Sequence, residues 1–154
     1  MIFTLDDLER LPAASRLATI ECAGNTWDGW RDKADDFTVQ ETHGLMSTSE
    51  WTGVKLTTLL DAVGARREAT WMIAEGSDAA GLDRSVPLIP EVLEHAMICY
   101  GQNGDALRPE QGYPLRLLLP GYEGNINVKW LRRLELVIAP VMTRWETTES
   151  SRWR

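Results

Sequence analysis

The chain has 154 residues, enough for one domain with a buried core, and its 44% apolar and 25% charged content is ordinary for a globular protein. A formal charge of -7 repels phosphate backbones, which argues against nucleic-acid binding yet leaves room for a local basic pocket. The apolar runs are too short to span a bilayer, the first residues lack the basic and apolar stretches of a signal peptide, and two cysteines, Cys22 and Cys99, make no disulfide framework.

In chain order, Thr4 to Leu11 predicts a short helix, with Thr4 as its cap, Asp6 and Asp7 at the positive end of its dipole and Pro12 as its stop. Leu17 to Glu21 is a short apolar strand running into the turn Cys22-Ala23-Gly24-Asn25. Trp27 to Asp36 reads as a polar loop, Thr38 to Glu41 as a strand, and Thr42 to Val54 as a hydroxyl-rich loop. Leu56 to Val63 has helical spacing with Gly64 as its stop. Strands are expected over Thr70–Ala74, Ser85–Leu88, Ala96–Tyr100, Leu115–Leu119 and Val128–Ile138, with a helix opened by Pro90 and a turn at Gly101–Gly104. From Thr143 onward the tail is polar and reads as extended. Short helices among more numerous strands predict an α+β domain with a mixed sheet.

Four segments carry chemistry-bearing residues. Cys22 sits on a small turn after a strand, where a thiolate serves as a metal ligand or nucleophile, or is simply a buried strand-end cysteine. Thr42 to Val54 holds His43 and Ser47 among glycines and hydroxyls, and reads equally as a loop leading into a helix. Gln111, Arg116, Asn127 and Lys129 surround a Gly-rich turn, a composition suited to a phosphate, although an arginine there can also pair with a glutamate. Asp78, in Glu75-Gly76-Ser77-Asp78, can accept from an amino-substituted heterocycle or make an Asx turn; Arg84 follows it.

The ordered blocks Glu21-Cys22-Ala23-Gly24-Asn25, Gly44 to Val54, Ser85-Val86-Pro87-Leu88, Gly112-Tyr113-Pro114-Leu115-Arg116 and Gly124 to Leu131 resemble the sulfite oxidase family of molybdenum enzymes, over about residues 3–140. Thr42-His43-Gly44-Leu45 and Gly124-Asn125-Ile126-Asn127-Val128-Lys129 look most like its branch of bacterial sulfane dehydrogenase molybdenum subunits. The resemblance implies that residues 1–140 are the central part of a molybdopterin-binding domain and that 141–154 is a tail leading towards a C-terminal dimerisation domain. It implies a molybdenum cofactor (molybdopterin) with Cys22 as metal ligand and catalytic residue alongside Arg84. It implies cofactor contacts from Asn25, His43, Ser47, Asp78, Gln111, Arg116, Asn127, Val128 and Lys129. The family's reaction adds a water-derived oxygen atom to sulfur and passes two electrons to a c-type cytochrome. A sulfur-carrier protein, homo- or hetero-oligomers and a periplasmic rather than cytoplasmic location follow from the same likeness.

This sequence departs from the animal sulfite oxidases where those carry pocket arginines: Trp27 and Ile126 stand there, with Arg31 and Arg84 nearby in sequence, and Gln111 stands where they carry a histidine. Fewer cations point to a carrier-bound sulfur rather than free sulfite. A different reading keeps the fold without the chemistry, as a truncated structural or partner-binding module. A cysteine hydrolase using Cys22 with His43 or His95, or a zinc site, has no supporting spacing.

Overall fold

A computed structural model describes residues 1–25 and 37–148. Helix α1 (Leu5–Glu9) opens on a capping box in which the Thr4 hydroxyl accepts from the Asp7 N–H and the Asp7 carboxylate accepts from the Thr4 N–H. It leads into β1 (Ala13–Glu21), antiparallel to β2 (Met46–Lys55) over nine paired positions. Next come α3 (Leu56–Ala62), the hairpin β3 (Trp71–Gly76) and β4 (Asp83–Pro87), α4 (Pro90–His95) and β5 (Met97–Gln102). The chain closes with β6 (Asp105–Ala106), a 3-10 turn at Pro109–Gln111, β7 (Arg116–Leu118), β8 (Leu131–Val137) and α5 (Arg144–Thr148). One sheet runs β1-β2-β5, with β6 and β7 sharing the far side of β5; the other runs β4-β3-β8. The class is α+β, as expected, and every pairing among the described residues is antiparallel.

Side chains alternate across a strand, and β5 is buried on both faces. Ile98 points with Leu117 into the main core, where the two sheets meet α1, α3 and α4 through Val54, Leu56, Met72, Val86 and Val92. Met97 and Cys99 point the other way, with Leu118, Trp51, Ala18 and Leu107, into a second, smaller core. Arg116 lies opposite Cys99 in the β5–β7 register and therefore on this second face.

Three expectations are corrected. Thr38 to Glu41 is not a strand: Thr38 caps the helix α2 (Val39–His43) through a capping box closed by Glu41. Residues 46–54 are not a loop but most of β2, whose outer hydroxyls pair across the ladder as Ser15 with Thr52 and Thr19 with Thr48. The tail is not extended at Thr143, since that buried threonine accepts from the Glu146 N–H and starts α5. The expected turn at Gly101–Gly104 narrows to Asn103-Gly104, both at positive φ, in the hairpin between β5 and β6. The polar loop expected over Trp27–Asp36 lies outside the described residues.

Candidate functional site

The period of two that builds the second core also builds the site. Ala18, Ile20 and, one step past the strand, Cys22 fall on one face of β1, and Ser47, Ser49 and Trp51 fall on the matching face of β2. The ladder carries over to Cys22, whose N–H donates to the Leu45 carbonyl at 2.9 Å. The same face opens into a cleft of about 610 Å³, with Cys22, Ala23, Leu45 and Met46 towards one part and Gln111, Arg116, Asn125 and Lys129 supplied by the later segments.

Cys22 is exposed. Its turn is held from both sides by Asn25, which is 7% exposed: the Asn25 amide donates to the Glu21 carboxylate at 2.6 Å and its oxygen accepts from the Leu45 N–H at 3.1 Å. The Gly24 N–H donates to the Cys22 Sγ at 3.5 Å. The loop after β7 is tied to the same strand end, where the Gly124 N–H donates to the Glu21 carbonyl.

Arg116 is 4% exposed and has no ion pair with a described carboxylate. Its Nη1 donates to the Gln111 carbonyl at 3.1 Å and to the Gln111 side-chain oxygen at 3.2 Å, and its Nη2 donates to the Asn127 carbonyl at 3.2 Å. Its Nε, buried, finds no acceptor. Burial pushes its pKa down to about 10, with the Cys99 beside it acting the other way, so it is charged at neutral pH. A desolvated guanidinium bonded only to neutral oxygens is an unsaturated anion site. Lys129 adds a second cation; its Nζ donates to the Glu110 carbonyl at 2.9 Å and lies 4.7 Å from the Trp130 ring centroid. Gly112, at φ 108, makes this possible, because a Cβ there would lie 2.9 Å from the Lys129 Cβ.

The structure therefore brings Cys22, Ser47, Gln111, Arg116 and Lys129 to one cleft. The remaining candidates do not line it. Asn25 and Asn127 are internal staples; Asn127, 1% exposed, accepts from the Leu119 N–H and donates to the Tyr122 and Glu123 carbonyls. Val128 is fully buried in the main core. His43 is exposed, its Nδ1 bonded to the Thr42 hydroxyl. Asp78 closes the loop between β3 and β4, accepting from the Leu82 N–H four residues on rather than making an Asx turn. Arg84 is buried on β4 and donates to the Asp83 carbonyl. Ile126 packs on the main core, and Trp27 and Arg31 lie outside the described residues. Sequence reasoning missed Trp51, Leu45, Met46 and Glu110 as lining residues; the first three become visible once β2 is read as a strand joined to β1. Among the described residues no three His, Cys, Asp or Glu side chains gather as a metal cage, so the cleft offers a metal the single thiolate of Cys22. No helix among them is long and apolar enough to cross a membrane.

Comparison with known proteins places the chain among relatives. The family model described as oxidoreductase molybdopterin binding domain matches residues 1–145. The chain is 28% identical over 151 residues to the mitochondrial sulfite oxidase of Rattus norvegicus, covering 93% of this chain and 28% of that protein. It is 30% identical over 148 residues to an NADH nitrate reductase of Ulva prolifera, covering 88% of this chain and 17% of that protein. The crystal structure of the sulfane dehydrogenase SoxCD from Paracoccus pantotrophus superposes with a TM-score of 0.88 at 41% identity, over 96% of this chain and 38% of that one. The chain thus spans well under half the length of each of these relatives.

Proposed function

Because the chain belongs to the oxidoreductase molybdopterin-binding domain family, we propose that it holds a molybdenum cofactor in the cleft between Cys22 and Arg116 and serves, within a sulfane-dehydrogenase type of enzyme, to oxidise a reduced sulfur compound. The observation that carries this reading is the pairing, in one cleft, of an exposed thiol with a buried arginine that no described carboxylate neutralises. The residues present fit the group. A soft thiolate suits molybdenum alongside dithiolene sulfurs, and the Arg116 guanidinium, which meets no described carboxylate, suits the cofactor's phosphate together with Lys129. When bound, the cofactor supplies a metal that exchanges an oxygen atom with substrate and cycles through two electrons.

This chain's part is to hold and shape. Cys22 would ligate the metal, kept in place by the Asn25 clamp and the Gly24 N–H. Arg116, Gln111 and Lys129 would anchor the anionic end. Leu45, Met46 and Ala23 give the Cys22 part of the cleft an apolar wall. Among the described residues that wall has no arginine or lysine of its own, so a dianion as small as sulfite gains little from them, whereas sulfur carried on a partner's cysteine brings less charge and draws its binding energy from the protein interface. On this reading electrons would leave to a c-type cytochrome and the enzyme would work in the periplasm.

Full chain made in a host that synthesises molybdopterin tests the reading directly. Elemental analysis is expected to find molybdenum in the wild type and little or none in Cys22→Ser, with the cofactor-free forms of the two melting at the same temperature. Equal molybdenum content in the two would remove Cys22 from the site. For the substrate, the expectation is faster cytochrome reduction with a persulfidated carrier than with free sulfite; efficient sulfite turnover with no gain from the carrier overturns that part.

A further inference from the structure

We propose that Trp51 is a positioning residue for Arg116: its buried indole face sets the tilt of the guanidinium at the floor of the cleft and keeps its charge available to an incoming anion. The inference rests on the reading of the cleft given above and deepens it.

The three hydrogen bonds to Arg116 come from the Gln111 and Asn127 oxygens and lie along the edges of the guanidinium. Edge contacts fix position within the plane and leave the plane free to rock about them. The face needs a partner, and Trp51 provides one, with the Arg116 Cζ 4.7 Å from the ring centroid. The indole is itself immobile. It is 1% exposed, its Nε1 donates to the Ala18 carbonyl at 3.3 Å, and Met97 and Leu118 pack in the same small core.

A carboxylate in place of the ring would hold Arg116 as firmly, but it would neutralise the charge, and a phosphate would then have to displace it. The π face attracts the cation without presenting an anion. Cys99, the other group facing Arg116, does not compensate it either, because burial pushes its thiol up to about 12 and leaves it neutral. The small core is therefore built to keep one cation oriented and unmatched.

The test is titration calorimetry of the full chain with inorganic phosphate. Affinity is expected to follow the ring: highest for wild type, about threefold lower in Trp51→Phe and about tenfold lower in Trp51→Leu. Leu118→Val perturbs the same core without touching the stack, and is expected to lower the thermal midpoint with phosphate affinity unchanged. In the ¹⁵N spectrum the Arg116 Nε–H signal, identified by its loss in Arg116→Lys, should carry a ring-current shift that shrinks in Trp51→Phe. That variant and its spectrum decide the matter if Trp51→Leu does not fold. An unchanged phosphate affinity in Trp51→Phe with an unmoved Nε–H signal overturns the positioning role while the anion site stands. A wild-type chain that binds no phosphate overturns the anion site and this inference together.

Discussion

Arg116 is the residue whose surroundings are hardest to explain by folding alone. It is desolvated, retains an unpartnered Nε and meets only neutral oxygens, an arrangement that costs stability in the absence of a ligand. Arg116→Met keeps most of the volume and removes the charge. The cofactor-free variant is therefore expected to melt no lower than wild type, and to gain about 1 kcal/mol, while losing phosphate binding by calorimetry. A large fall in its melting temperature would make Arg116 a structural residue. Gly112 is the opposite case, a residue fixed by space. At φ 108 and with Lys129 so close, Gly112→Ala is expected to cost about 2 kcal/mol or more, roughly 4–8 °C in midpoint, as read by thermal denaturation. The sequence marks Arg116 as a charge within an apolar run, and its partners Gln111 and Asn127 sit in the same segment. Trp51 gives no comparable signal, because its role comes from a cross-strand neighbourhood that only the fold creates.

At the scale of elements, α2 is the shortest-range device near the site. The Glu41 carboxylate accepts from the Thr38 backbone N–H and hydroxyl, which hold its pKa below the ordinary 4.5. A depressed carboxyl pKa contributes stability that is present above that ordinary value and is lost as the pH falls through the lowered one. The Glu41 and Thr42 amides are accordingly expected to lose exchange protection on acidification below about pH 4, and Glu41→Gln to remove that pH dependence. The α3 amides, whose helix has no side-chain cap, should not follow the same profile. The elements that sequence reading placed correctly, such as α3, α4 and β7, have strong apolar periodicity or a Pro or Gly boundary. Those it misplaced are short and polar. Thr38-Val39-Gln40-Glu41 and Thr143-Arg144-Trp145-Glu146 each carry a Thr-x-x-Glu capping signature, which outweighs the β propensity of Val39 and the polarity of the tail. β2 is hydroxyl-rich because its outer face pairs serines and threonines across to β1, so its composition mimics a loop.

On the scale of the whole molecule, two sheets share one main core, and the cleft sits on the far face of the larger sheet, over a second core. Anything that binds the native cleft and not the unfolded chain adds to global stability by mass action. At a hundred times its dissociation constant, a bound ligand contributes about 2.7 kcal/mol, roughly 5–10 °C in midpoint for a chain of this size. Differential scanning calorimetry of molybdenum-loaded against cofactor-free protein is expected to show at least that shift, and Arg116→Met should abolish most of it. The family was legible from ordered blocks spread along the chain. The division between residues that line the cleft and residues that staple it was not: Asn25 and Asn127 sit within those blocks and turn their side chains into the protein.

The groups that meet in the cleft come from β1, β2, β7 and the approach to β8, separated by as much as the distance from Cys22 to Lys129 along the chain. No local hairpin or helix contains enough of them to bind anything. The site exists only after the last long-range strand pairings have closed, steps that are slow because loop closure precedes the contacts that reward it. Cofactor must then enter a finished fold, and its presence in a refolding mixture should leave the folding rate untouched while slowing the rate of unfolding.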